Sequence, residues 1–368
     1  MKFVIAREDF VALIGKVQGV VPSKGIIPIV SCILIEANKE GLTISATDLT
    51  LSIKVKKQVQ VEEEGAIALP AKHLFSLVRE LIAREVTVEM GKDKVVRITS
   101  GGSHFRLHAI DKSEFPTFPD LGEGKTIPVD APSLQEMLYN TAFAVAREDT
   151  RQALKGVFIE LQQGKATVVG TDGKRLAKVE RRIVEEDTPE YLSCIIPLKA
   201  VDEMMRLLDG SDKITLTLFA DKISLETKDA CLVSKLLMEQ FPDYRQVLPN
   251  PEAMRTVNLH REELLTLLKQ VSLFTSDVTP SVKLTLNEGE LALQAMNSKV
   301  GEGNVQMPVD YHENKLEIAF HPHFFIDILR HSKDETVTFG IIDSFHPGSI
   351  TDTSDSQFIL MPMRLATE

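Results

Sequence analysis

The histidines, cysteines and acidic side chains are the groups with which this chain could do covalent or metal chemistry. Their spacing does not assemble a reaction centre. His104 and His108 lie four apart on an alternating stretch and share a face, and His321-Pro322-His323 forms a second pair, but neither has a third ligand close by. Surface or structural roles are expected for both pairs, and no metal. Gly124-Lys125-Thr126 is the one fragment resembling a phosphate loop; the first glycine of such a loop would fall at position 119, where Pro119 stands. Thr171-Asp172-Gly173 has the residue types of a catalytic turn. However, Thr47-Asp48 occupies the same place in an earlier copy of the pattern, which favours an aspartate capping its own turn. No carboxylates have the spacing of a two-metal phosphoryl-transfer site. Cys32, Cys194 and Cys231 are widely separated among aliphatic residues and read as three buried thiols of a reducing compartment. No catalytic residue, metal or cofactor is expected.

Composition narrows the class further. Of the 368 residues 43% are hydrophobic and 26% charged, which suits packed globular domains. The net charge of −11 argues against a nucleic-acid binder only weakly, because binding follows where charge lies rather than its sum. The amino terminus turns charged at once and does not read as a signal peptide; no apolar run approaches the ~20 residues that cross a bilayer. A soluble, cytoplasmic protein with no membrane partner is expected.

The elements that must carry any site repeat three times. The helical pattern at Glu8–Ile14 returns at Pro132–Leu138 and Glu262–Leu268. A second, following a strand, appears at Leu69–Phe75, Ile196–Val201 and Phe320–Phe325. Between them Thr47-Asp48, Thr171-Asp172 and Met296-Asn297 are spaced by 124 and 125 residues. Proline-rich stretches at Phe115–Gly122 and Phe241–Pro251 end the first two copies. Period-2 alternation, as in Leu51, Ile53 and Val55 against Ser52, Lys54 and Lys56, fills the remainder with strands. The expectation is an α+β fold of three repeated domains at 1–120, 121–250 and 251–368, each with two helices packed on antiparallel sheets of about eight strands.

Five strings carry a resemblance: Met1-Lys2-Phe3, Leu69-Pro70-Ala71-Lys72, Thr171-Asp172-Gly173-Lys174-Arg175-Leu176, Phe241-Pro242-Asp243-Tyr244-Arg245 and Leu360-Met361-Pro362-Met363-Arg364-Leu365. In this order and over the whole length, the chain resembles the bacterial sliding clamps, the β subunits of DNA polymerase III. The resemblance implies a head-to-tail homodimeric ring that encircles and slides along double-stranded DNA, in a sequence-independent way. It implies a non-catalytic subunit that tethers the polymerase III catalytic subunit, the clamp loader, and other polymerases and repair proteins carrying a clamp-binding peptide. A nucleic-acid-processing enzyme and a protein-only scaffold are the competing readings; the missing carboxylate cluster disfavours the first and the basic helices the second.

By the same resemblance, a partner-peptide pocket is expected from Leu154, Thr171, Gly173, Lys174, Arg175, Leu176, Pro242, Val247, Phe324, Ser344, Met361, Pro362, Met363, Arg364 and Leu365. Methionine adapts its shape to several ligands, and a short extended peptide with a glutamine and two hydrophobic anchors would fit. DNA contact is expected at Lys24, Lys72, Arg79, Arg147 and Lys199, among basic residues on or near the helices that also include Arg7, Lys16, Arg84, Arg151, Arg206, Lys269 and Arg330. The dimer interface is expected to bring Phe105 and Leu107 of one copy against Leu273 and Phe274 of the next. Charge by third is +1, −4 and −8, so a head-to-tail contact joins a near-neutral end to an acidic one. The chain departs from the family pattern at Lys174, where histidine is common, at Gln246, where a basic residue is common, at His321-Pro322-His323, and in three residues after Leu365.

Overall fold

The computed structural model describes residues 1–22, 27–91, 94–183, 191–211, 213–276, 278 and 280–364. The six expected helices form: α1 (Arg7–Gln18), α2 (Ala71–Glu80), α3 (Ala131–Ala142), α4 (Leu198–Leu208), α5 (Arg261–Ser272) and α6 (Pro322–His331). In α1 the apolar positions Phe10, Leu13, Ile14 and Val17 recur at i, i+3, i+4 and i+7 and are buried, with Glu8 and Asp9 in the first turn and Lys16 in the last. Pro322 opens α6 at the position where its missing N–H costs nothing. Arg84 lies beyond α2 rather than on it, because the backbone turns extended at Leu81.

Two compact units result, Met1–Gln135 with Lys199–Leu237, and Glu136–Leu198 with Met238–Glu368. Division by repeat and division by compactness therefore cut the chain differently, and the middle third is shared. In the first unit a five-stranded sheet runs in the order Gln60–Glu63, Lys2–Ala6, Glu85–Met90, Val95–Ser100, Ser103–His108. An eight-stranded sheet joins Lys125–Asp130, Lys213–Leu218, Lys222–Glu226 and Ala230–Lys235 to Leu51–Lys57, Gly41–Thr47, Cys32–Asn38 and Gly65–Pro70. Its seam is antiparallel, from Ala230 opposite Val55 to Ser234 opposite Leu51.

The second unit follows the same plan. Its eight-stranded sheet joins Leu192–Pro197, Gly156–Gln162, Lys165–Thr171 and Arg175–Arg182 to Ser356–Leu360, Gly348–Thr351, Thr336–Ile341 and Arg255–His260. The seam here runs from Arg175 opposite Leu360 to Val179 opposite Ser356. A four-stranded sheet has the order Gly301–Pro308, Glu290–Asn297, Val282–Asn287, Leu316–Phe320. Phe320, Phe325 and Phe339 meet at 5.4–6.0 Å in its core.

Alternation fails in one instructive place. Ser52, expected on a wet face, is buried between Leu51 and Ile53, and its Oγ lies 2.8 Å from Thr47 Oγ1. The strand is covered on both faces, so its polar residue is satisfied internally. Cys32 and Cys231 are buried as expected, whereas Cys194 is partly exposed. Among the described residues no helix is long and apolar enough to cross a membrane.

Glu136 ties three elements of the second unit together. Its two carboxylate oxygens accept from both terminal nitrogens of Arg181 at 3.1 Å, and Lys333 lies at 2.6 Å. The Arg181 hydrogen bonds hold the Glu136 carboxyl down at about 2. A depressed carboxyl stabilises the fold above its unfolded value, and that stability is lost as pH falls from about 4.5 toward about 2. Glu136→Gln is expected to cost about 2 kcal/mol at pH 7 and to flatten the loss of stability through that window, as read by urea unfolding at pH 7 and pH 3.

Candidate functional site

The turn after the strand Lys165–Thr171 is fixed by its own side chains. Asp172 Oδ1 accepts from the amides of Lys174 and Arg175 at 2.9 and 3.0 Å; Thr171 Oγ1 accepts from Gly173 N and donates to Arg175 O. Gly173 sits at φ +83°, in the left-handed region where a side chain is strained. Asp48 caps the equivalent turn through Thr50 and Leu51, and Asn297 does so through Lys299. The capping role expected for these residues is what they perform.

Beside this turn runs the end of the chain. Met361 N donates to Lys174 O at 3.0 Å, and Met363 N donates to Ala319 O at 2.7 Å. The first unit has the same contact, Lys235 N to Thr50 O at 2.8 Å. Here the two differ in what fills the junction. Arg175, only 11% exposed, donates to Asp172 Oδ2 at 3.2 Å, to Asp327 Oδ2 at 2.8 Å and to Phe143 O at 2.8 Å. Its guanidinium lies 4.6 Å from the Phe324 ring centre and 5.3 Å from that of Phe143. His321 stacks on the other aromatic of this group, Phe324, at 4.0 Å. Burial, then the neighbouring His323, Lys174 and Arg175, push the His321 imidazole down to about 4, so it is neutral at physiological pH.

Leu176 supplies the apolar floor, packed with Val169, Tyr244 and Ile359. The segment carrying Pro242 and Val247 is pinned to the sheet at Glu160. That carboxylate accepts from Tyr244 Oη at 2.7 Å, Arg245 Nη2 at 2.6 Å and Tyr191 Oη at 2.9 Å. Burial pushes Glu160 up, but the three donors outweigh it and hold the carboxyl below the usual range. Pro242 and Val247 themselves are exposed, and Phe241 stacks on Phe158 at 4.7 Å behind them. Glu160→Ala removes the acceptor shared by three donors and frees this segment; affinity for a pocket peptide, measured by fluorescence anisotropy, is expected to fall about tenfold.

The structure thus brings together Thr171, Gly173, Lys174, Arg175, Leu176, Phe324, Met361 and Met363, with Pro362 and exposed Arg364 continuing the same strand end. Ser344 is in the loop 342–347, at the same end of the sheet because Gly348 lies opposite Leu360. Leu154 is 1% exposed and offers no surface. Leu365 lies outside the described residues. Phe143, Asp327 and His331, not anticipated from sequence, complete the surroundings of Arg175. A cleft of about 490 Å³ is lined by Phe143, Arg147, Lys174, Arg175, Phe324 and His331 among others. It adds Arg147, expected at DNA, to the cations beside the turn.

Of the other expected DNA contacts, Lys72 and Arg79 are exposed on α2, and Lys24 lies outside the described residues. Lys199 is committed elsewhere: its ammonium donates to Val20 O at 2.7 Å and to Asp48 Oδ2 at 2.6 Å. At the expected interface Phe105 is 38% and Leu273 74% exposed, and Leu107 is partly exposed. The Phe274 ring lies over Gly303, where an added Cβ would come within 2.6 Å of it. Among the described residues no three His, Cys, Asp or Glu side chains are grouped to hold a metal.

Comparison with known proteins gives one answer along the whole chain. Residues 1–119, 128–243 and 245–364 match the N-terminal, central and C-terminal domains of the DNA polymerase III beta subunit. The beta sliding clamp of Chlamydia pneumoniae is 45% identical over 367 residues, 99% of each chain. Two solved structures cover 99% of this chain and all of theirs. They are the sliding clamp of Bartonella birtlesii bound to griselimycin (30% identity, TM-score 0.93) and the DNA polymerase III beta subunit of Thermotoga maritima (29%, 0.92).

Proposed function

Because the chain belongs to the DNA polymerase III beta subunit family, the beta sliding clamps, we propose that two copies close head to tail into a ring around duplex DNA. The family is that of non-catalytic processivity subunits, and this chain works as one, in the cytoplasm with the chromosome it serves. Encirclement keeps a partner beside DNA without tight binding, so the gain is effective concentration rather than chemistry. The repeats at 1–120, 121–250 and 251–368 supply six such domains per ring.

The observation that carries this reading is the pair of unused sheet edges. Both seams inside the chain join the last strand of one half-sheet to the last strand of the next in one register. Ser103–His108 and Gly301–Pro308 are the corresponding strands, each at the edge of its sheet among the described residues. Ser103 follows its two-residue turn as Ala230 does, and Glu302 faces Met296 as Ser52 faces Thr47. Applying the register of the internal seams sets Phe105 of one copy opposite Gly303 of the other, and Arg106 opposite Glu302. Phe105 would then lie against Phe274, the ring that covers Gly303. The aromatic contact and the ion pair come from the same alignment, and the charge of the two ends agrees with it.

The inward cations of this ring are Lys72, Arg79 and Arg147, with Lys24 in the loop after α1; sparse contacts of this kind give weak, salt-sensitive and sequence-blind attachment. Lys199 acts through Asp48 instead, holding the junction. Partners (the polymerase III catalytic subunit, the clamp loader, other polymerases and repair proteins) dock a short peptide on the floor formed by Leu176, between Lys174, Phe324, Val247 and the Met361–Arg364 strand. The test is retention on nicked circular DNA after loading by the clamp loader. Survival of a salt wash on the circle, with release when the circle is cut, is the expected result. Equal, salt-sensitive loss from circular and linear DNA would overturn the ring.

A further inference from the structure

Phe345 is 84% exposed, against 38% for the exposed phenylalanine of the sheet edge. Its exposure is enforced. Asp343 Oδ1 accepts from Phe345 N at 2.8 Å and His346 N at 2.9 Å, and the His346 ring nitrogen lies 2.8 Å from Asp343 Oδ2. A loop held this way has already lost the freedom that an anchoring residue would otherwise lose on binding. Its position is equally specific. Gly348, just after the loop, lies opposite Leu360; Leu360 lies opposite Arg175; and Met361 N donates to Lys174 O. The loop 342–347, the Met361–Arg364 strand and the turn 172–174 therefore end side by side at one edge of the sheet, and the pocket continues onto the Phe345 loop. Lys174 and Arg364 are exposed there, while the loop's own acid, Asp343, is spent on His346.

We propose that Phe345 is a second anchor for the partner whose peptide fills the pocket. An apolar side chain in the stretch flanking that peptide covers the ring, and a carboxylate beside it faces Lys174 and Arg364. This rests on the pocket reading above and adds a recognition element outside it. Short pocket peptides and whole partners would differ in affinity for this reason, and partners would be ranked by what flanks their peptide.

Two probes separate the possibilities: a short synthetic peptide with only the glutamine and two hydrophobic anchors, and the DNA polymerase III catalytic subunit. Phe345→Ala is expected to weaken the polymerase about tenfold and leave the short peptide unchanged. Phe345→Leu, which keeps an apolar knob, retains most of the affinity, and Asp343→Ala, which frees the loop, loses part of it. Unchanged polymerase binding by Phe345→Ala would overturn the proposal, as would equal weakening of both probes, which would make Phe345 a wall of the pocket. A change only in self-association of the protein would assign the ring to a second copy instead and also overturn it. If the short peptide fails to bind the unaltered protein, the pocket reading falls, and that result is separate from the others.

Discussion

Arg106→Glu leaves the protein monomeric at micromolar concentration, and adding Glu302→Arg to the same chain restores the dimer. The single variant sets two carboxylates opposite each other at both seams of the ring, where like charges in a partly desolvated strand pair cost several kcal/mol. A dissociation constant raised about a hundredfold is expected, since each 1.4 kcal/mol is a factor of ten. Sedimentation velocity reads it directly. The double variant is the informative one, because its recovery depends on register: displaced by one residue, each strand would turn its side chains to the opposite face. If Phe105→Ala dissociates the dimer but the charge exchange does not restore it, the seam stands and the register is wrong. If neither variant changes the dimer, the seam itself is wrong.

Arg175→Met is expected to abolish useful partner binding, with a peptide affinity lowered about a hundredfold and the second unit destabilised by about 3 kcal/mol. Arg175 is nearly buried and holds Asp172, Asp327 and the carbonyl of Phe143 at once. Removing one member of such a set leaves buried charge uncompensated, which is worth about 3–5 kcal/mol. It also takes away the planar cation against which Phe324 packs, so one wall of the pocket loses its backing. Asp327→Asn separates the two effects. It keeps the guanidinium between the rings and removes one charge, so peptide binding should fall far less than with Arg175→Met at comparable cost in unfolding midpoint. Equal loss of binding in both variants would mean that the charge network, and not the stacked guanidinium, shapes the pocket.

The helices and most strands were legible because their signals are local. Phe10, Leu13, Ile14 and Val17 spell a helix face, and Leu51, Ile53 and Val55 a strand, without knowledge of anything distant. The threefold period gave the turn caps at Asp48, Asp172 and Asn297, since the same residue type at the same offset needs the same backbone. Other features resisted for physical reasons. Ser52 reads as a wet position until a second layer covers the strand. Lys199 reads as a free cation on a helix, and its commitment to Asp48 spans 151 positions that no periodicity links. Phe143, Asp327 and His331 carry no motif; they matter only because the fold brings them to Arg175. The division into two units was invisible for the same reason, since hydrogen bonding across a seam depends on edges meeting in space.

The capped turn occurs three times, and the copies no longer share one job. In the first, Lys199 locks onto Asp48 and the junction is sealed, with Leu49 held at φ +76° where the second copy has Gly173. In the second, Arg175 turns inward and leaves a recess for a guest. In the third, Asn297 leads into the strand that joins another molecule. Duplication relieved each copy of duties that its siblings still perform, so one could specialise in strength, one in hospitality and one in assembly. Damage at equivalent positions should therefore produce three unrelated defects: a softer subunit, a ring that slides alone, and a ring that never closes.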